Sequence, residues 1–197
     1  MFLQANNSSV GLGSTVTSTS SHSGAPETKM MSPHTSSLLI SDLQFLQSTH
    51  HPKLQTLFYQ ILSRLVFKGS NLDFFPSFIQ PFTLQLSQLA SMQNPRLMPK
   101  SAVEQVVLLV HKLHGIISSV LSKVVFQMFY KWFFVDNAFH VLIVRLVESF
   151  WDMPRVLNPI LSFYAELIHN KSMRIQFDSN SPAGVILFKE TCKIVQT

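Results

Sequence analysis

The sequence predicts an all-α protein, and three observations carry that reading. Apolar residues recur at i, i+3, i+4 and i+7 through most of residues 54–192, the spacing that lines one face of a 3.6-residue helix. No strand-length stretch alternates apolar and polar residues between turn residues. Beyond residue 40 only Gly69, Gly115 and Gly184 remain to interrupt the pattern.

Taken in order, Leu54, Leu57, Phe58, Ile61, Leu62, Leu65 and Val66 make the first helical stripe, and Phe75, Phe78, Ile79, Phe82, Leu86 and Leu89 the second. Pro81 inside the second must kink that helix or start a new one. After a loop at residues 92–100, Val103, Val106, Val107, Val110 and Leu113 form a third stripe, and Val125, Met128, Phe129, Trp132 and Phe133 a fourth. Asp136-Asn137 is expected to break the chain and cap the next helix start. The fifth stripe is Phe139, Leu142, Ile143, Leu146, Val147 and Phe150, ended by Asp152 and Pro154. Asn158-Pro159 reads as a cap followed by proline at the first position of a sixth helix carrying Ile160, Phe163, Tyr164, Leu167 and Ile168. A non-helical segment, residues 172–181, precedes a last helix opened near Pro182 and carrying Val185, Phe188 and Cys192. Several stripes are wide, with Leu108, Leu109, Phe126, Tyr130 and Phe134 also apolar. Helices buried on more than one side suit a solenoid of stacked pairs, with a closed six- or seven-helix bundle as the alternative.

Residues 1–37 differ from all of this. The first 40 residues hold 15 Ser and Thr and two of the ten prolines, too little apolar surface to offset the entropy of ordering, so residues 1–37 are expected to be a disordered leader and 38–197 the helical region. The whole chain has 197 residues, 46% hydrophobic and 13% charged, which is enough apolar surface for a sizeable core. A single cysteine excludes a disulfide-stapled scaffold and a cysteine-rich zinc module. The net charge of +5 is scattered rather than gathered into the basic runs of a nucleic-acid tract, so direct nucleic-acid binding is not expected. No run of about 18 apolar residues marks a membrane span. Residues 1–10 lack the basic and apolar regions of a secretory signal, which leaves cytosol or nucleus as the expected location.

Reactive chemistry is sparse. His111 and His114, at i and i+3, share a helix face and can both reach a zinc ion, but no third ligand follows at ligand spacing; adjacent His50 and His51 point apart. Cys192 has no neighbouring base and reads as a small buried hydrophobe. Phosphate loops, nucleophile elbows and dinucleotide fingerprints need glycines that the helical region lacks. Glu148 and Asp152 at i, i+4 read as a solvated face or a cap. The expectation is therefore no catalytic residue, no metal and no cofactor. Arg155, Lys171, Arg174 and Lys189 fall near helix ends, where they form a partner-binding ridge or complement helix dipoles.

Residues 167–194, reading LIHNKSMRIQFDSNSPAGVILFKETCKI, carry Asn170, Ser172, Arg174, Phe177, Asp178, Ser181, Pro182, Gly184, Phe188, Glu190 and Thr191 in one register. Together with residues 78–83 around Pro81, Leu113, Gly115 and Ile116, and Met128-Phe129 with Trp132, this stretch resembles the exportins of the importin-beta superfamily of nuclear transport receptors, whose kin include Ran-binding proteins. The resemblance is collinear over residues 42–197. It implies a right-handed superhelix of HEAT-like antiparallel helix pairs that wraps protein cargo with the small GTPase Ran in its GTP state and passes the nuclear pore on nucleoporins, between nucleus and cytoplasm. It favours the solenoid over the bundle, and it implies that the best-known Ran contacts lie in N-terminal repeats that nothing in residues 1–41 matches. Where the family tends to have a charged Arg-Asp-Leu-Arg-Gly run, this chain has His111, Lys112, Leu113, His114 and Gly115, a more basic ridge near pH 6. The expected function is that of a section of a transport receptor, with a helical-repeat scaffold lacking a transport role as the alternative. The candidate partner contacts are His111, Lys112, His114, Arg155, Lys171, Arg174 and Lys189.

Overall fold

A computed structural model describes residues 51–177 and 180–196. The expected leader, residues 1–37, lies outside the described residues, as do residues 38–50. Seven α-helices follow among the described residues: α1 (Pro52–Val66), α2 (Phe75–Ala90), α3 (Lys100–Ser119), α4 (Lys123–Tyr130), α5 (Phe139–Ser149), α6 (Pro154–Ile168) and α7 (Ala183–Gln196). Helix α4 runs on into a π-turn, Lys131–Asp136. Proline opens α1, α2 and α6 within the first two positions, where its missing N–H is not needed.

The helices stack in two rows. Helix α1 lies on α3 and α3 on α6, while α2, α5 and α7 follow one another in the second row; α5 and α7 also touch α6. Each pair thus packs on the pair before and after it, which is an all-α solenoid arrangement. The π-turn fills the space between the rows. Its wider turn brings the consecutive Trp132, Phe133 and Phe134 into the core, and Phe133 packs against Phe129, Phe139 and Phe163. Two polar tips pin this hub: Trp132 Nε1 donates to Thr83 Oγ1 on α2 at 2.8 Å, and the Tyr130 hydroxyl donates to the Ala183 carbonyl at the start of α7, also at 2.8 Å.

The interior stripes fall where expected. All six residues of the fifth stripe are buried, as are Ile79, Phe82, Leu86 and Leu89 of the second and Val106, Val107, Val110 and Leu113 of the third. The terminal helices differ. On α1 the residues Leu54, Leu57, Ile61 and Leu65 are 46–68% exposed, while Gln55 and Ser63 are buried. Helix α1 meets α3 backbone to backbone: a Cβ on Gly115 would lie 2.2 Å from the Thr56 carbonyl oxygen, so only the small and polar face of α1 fits there. Helix α7 likewise turns Leu187, Glu190 and Ile194 inward and leaves Val185 and Phe188 69% and 72% exposed. Cys192 is half-buried rather than a core residue.

Pro81 stays inside one helix, as the first of its two expected outcomes has it: α2 is continuous across it and no new helix starts there. Two boundaries are corrected. The sixth helix starts one turn early, at Pro154, and runs through Pro159, which leaves only one carbonyl near the helix start without its intrahelical donor. Asn137 does not cap α5; its Nδ2 donates backward to the Trp132 carbonyl at 2.8 Å, closing the π-turn. Ala138 then takes a left-handed φ of 49° to launch α5.

Candidate partner-binding face

The row α1, α3, α6 carries a groove of about 490 Å3 lined by Lys53, Thr56, Leu57 and Gln60 of α1, His111 and His114 of α3, and Asn158, Pro159 and Ser162 of α6. Lys53, Thr56 and Gln60 stand at i, i+3 and i+7, so one face of α1 delivers all three. Thr56 anchors the junction. Its hydroxyl donates to the His111 carbonyl at 3.1 Å and lies 3.0 Å from His111 Nδ1. A hydroxyl has one hydrogen, so Thr56 Oγ1 accepts from His111 Nδ1–H, and the neutral ring keeps its Nε2 as an acceptor. Burial lowers the pKa of His111, with His114 and Lys53 adding to the shift. Burial also lowers that of His114, opposed by the Glu166 carboxylate and reinforced by Lys171. Lys112 faces elsewhere, with its ammonium 5.9 Å from the centre of the Tyr59 ring and its pKa lowered by burial.

Of the basic residues expected on a ridge, Arg174 is corrected. It is 0% exposed and cannot meet a partner. Its Nη1 donates to the Ile117 and Val120 carbonyls at the end of α3, and its Nη2 to the carbonyl and carboxylate of Glu166 in the last turn of α6, while the guanidinium lies 5.3 Å from the centre of the Phe126 ring. One cation thus satisfies the orphan carbonyls of two helix C-termini. Lys171 pairs with the same Glu166 at 2.7 Å, and Arg155 with Glu104 at 3.3 Å. Lys189 is exposed on α7. The seven candidates therefore do not form one ridge. His111 and His114 share the groove, and Lys53, Gln60, Asn158 and Ser162 also line it; no spacing in the sequence marks these four as one surface, because they lie on two helices some hundred residues apart.

Among the described residues no group of three or more His, Cys, Asp and Glu side chains is placed to hold a metal ion, and no helix is long and apolar enough to cross a membrane. His111 and His114 offer only two imidazoles to an ion.

The chain is 30% identical over 152 residues to exportin-7 of Dictyostelium discoideum and 35% identical over 148 residues to exportin-7-B of Xenopus laevis, covering 77% and 74% of this chain. It is also 30% identical over 147 residues to Ran-binding protein 17 of Homo sapiens. The chain is an exportin-7-like segment. It spans 13–15% of the length of these curated relatives. No family model and no solved structure matches it.

Within this exportin-7-like segment, the residues that carry the resemblance include Arg174 itself, the turn that leads into it and the contacts that follow it. Asn170 Oδ1 accepts from the Ile175 N–H at 2.8 Å, Ser172 takes a left-handed φ of 53°, and Phe177 packs its ring 5.0 Å from that of Tyr130. A Cβ on Gly184 would lie 3.0 Å from the Phe177 ring, so that ring would have to shift by a few tenths of an ångström to admit one. Asp178 lies outside the described residues.

Proposed function

We propose that this chain is a section of a nuclear transport receptor, a binding protein rather than an enzyme, whose helix pairs form part of a longer solenoid. In that role the complete receptor binds protein cargo together with Ran in its GTP state and moves between nucleus and cytoplasm through the pore by contacts with nucleoporins. Residues 38–197 are the HEAT-like repeats, and residues 1–37 a leader outside them. The observation that carries the reading is the collinear similarity to exportin-7 over about three quarters of the chain, on a two-row helical stack. Supporting it are the apolar outer faces of α1 and α7, which suit covering by adjoining repeats on both sides.

A pull-down with GTP-loaded and GDP-loaded Ran, using the longest product that carries this segment, tests the proposal. Binding selective for the GTP form is expected. Equal binding to both forms, or none, overturns the transport reading and leaves a helical-repeat scaffold. The 197-residue chain alone is expected to bind Ran weakly, since the resemblance puts the best-known Ran contacts in N-terminal repeats that nothing in residues 1–41 matches.

A further inference from the structure

The groove across α1, α3 and α6 has a charge pattern that selects a ligand class. Lys53 stands at one edge, His111 and His114 line the middle, and the α6 wall contributes the uncharged Asn158, Pro159 and Ser162. Among the described residues no carboxylate makes an ion pair with Lys53, His111 or His114. The carboxylate that acts on His114, Glu166, is already bound by Lys171 and Arg174. Three nitrogen-bearing side chains thus share one concave surface with amide and hydroxyl groups, and the carboxylate that reaches them, Glu166 beside His114, is committed to Lys171 and Arg174.

We infer that this groove binds an acidic peptide segment of a partner protein, with a carboxylate lying between Lys53 and the His111 and His114 rings. The inference deepens the receptor reading above and rests on it for the identity of the partner as a protein. The Thr56 hydrogen bond determines how the site works. It holds His111 Nδ1–H, so the neutral ring offers Nε2 as a lone pair that repels a carboxylate. Proton uptake converts Nε2 into a donor and gives a charge-assisted hydrogen bond to the same carboxylate. Binding therefore takes up a proton. Burial, His114 and Lys53 all favour the neutral His111 ring in the unliganded protein, and for His114 burial and Lys171 act against Glu166. Neutralising Lys53 with a carboxylate removes one of these penalties, so ligand and proton bind cooperatively. The volume, about 490 Å3, accommodates a few side chains of an extended segment rather than a whole domain surface.

The test is fluorescence anisotropy of the full 197-residue chain with a labelled eight-residue Asp/Glu peptide. Parallel arms use a Lys-rich peptide and a thymidine oligonucleotide of matched charge. Affinity for the acidic peptide should rise by about five- to thirtyfold between about pH 7.5 and pH 6, the upper bound being one proton taken up over 1.5 pH units. His111→Asn keeps an amide N–H where Nδ1–H meets Thr56 and removes Nε2; it should abolish most of that pH dependence while leaving the melting temperature in place. Lys53→Gln, on an exposed position, should weaken binding at both pH values. Binding that is absent, independent of pH, unchanged in both variants or tighter for the oligonucleotide overturns the inference. Such a failure alongside GTP-selective Ran binding by the longer product leaves the receptor reading standing, whereas loss of Ran selectivity with peptide binding intact removes the receptor reading alone.

Discussion

Arg174 illustrates how a charged side chain earns a fully buried place. Its donors close carbonyls at the ends of α3 and α6, and Glu166 supplies the counter-charge. Removing it strands these acceptors, so Arg174→Ala should lower unfolding free energy by about 3–5 kcal/mol. Arg174→Lys should not rescue this, because one ammonium lacks the planar fork that reaches both helix ends. Chemical denaturation of the three proteins checks it, and an alanine variant within about 0.5 kcal/mol of the parent would show that the clamp is dispensable. Two tyrosines make a contrasting pair. Burial raises the pKa of both hydroxyls, that of Tyr130 to about 12, but Tyr130 donates to Ala183 whereas buried Tyr164 Oη has no partner among the described residues. Tyr130→Phe should therefore cost about 1 kcal/mol and Tyr164→Phe should be neutral or stabilising. Thermal melts that rank them the other way would contradict the hydrogen-bond assignment.

Helix packing is most constrained where α1 crosses α3. Gly115→Ala gains about 1 kcal/mol of helix propensity, but its Cβ would collide with the Thr56 backbone, and overpacking against an unyielding main chain costs up to about 3 kcal/mol or more. Net destabilisation is expected, read as a lower denaturation midpoint; a midpoint at or above that of the parent would mean that α1 is free to move. Helix α5 is the opposite case, anchored by side chains. Leu146 is buried and Glu148 exposed, so Leu146→Ala should cost about 2–5 kcal/mol and Glu148→Ala less than about 0.5 kcal/mol. Equal losses would invert the assigned face.

The stability of the whole stack should depend on pH through its histidines. Burial, the leading cause in each case, lowers the pKa of His111, His114 and His140 below the ordinary value of about 6.5. The unfolded chain then binds more protons than the folded one between the two values. The stabilising contribution is full above about pH 6.5 and is lost as pH falls through the depressed folded values. Urea midpoints should therefore drop between about pH 7.5 and pH 5.5. A flat or rising profile would show that these rings keep their ordinary affinity for protons in the fold. An acidic peptide seated in the groove should reduce the drop, since it stabilises the protonated rings.

Periodicity alone was enough to identify helices α2 to α6 and their buried stripes, because an interior helix of a stack has neighbours that demand an apolar face and the 3.6-residue period records that demand. The resemblance at residues 167–194 was likewise legible in the linear sequence, since Asn170, Ser172 and Arg174 lie within one local turn, where Asn170 accepts from the Ile175 N–H and Ser172 takes a left-handed φ. What the linear pattern could not reveal was which way α1 and α7 turn. Their apolar stripes face outward, because a period says that a helix has an apolar side without saying which neighbour covers it, and α1 meets α3 through Thr56 and Gly115 instead. The same limit hid the burial of Arg174 and the groove itself. Lys53, His111 and Ser162 are separated by some fifty residues at each step, and only the stacking of α1, α3 and α6 into one row places their nitrogens and oxygen on a common surface.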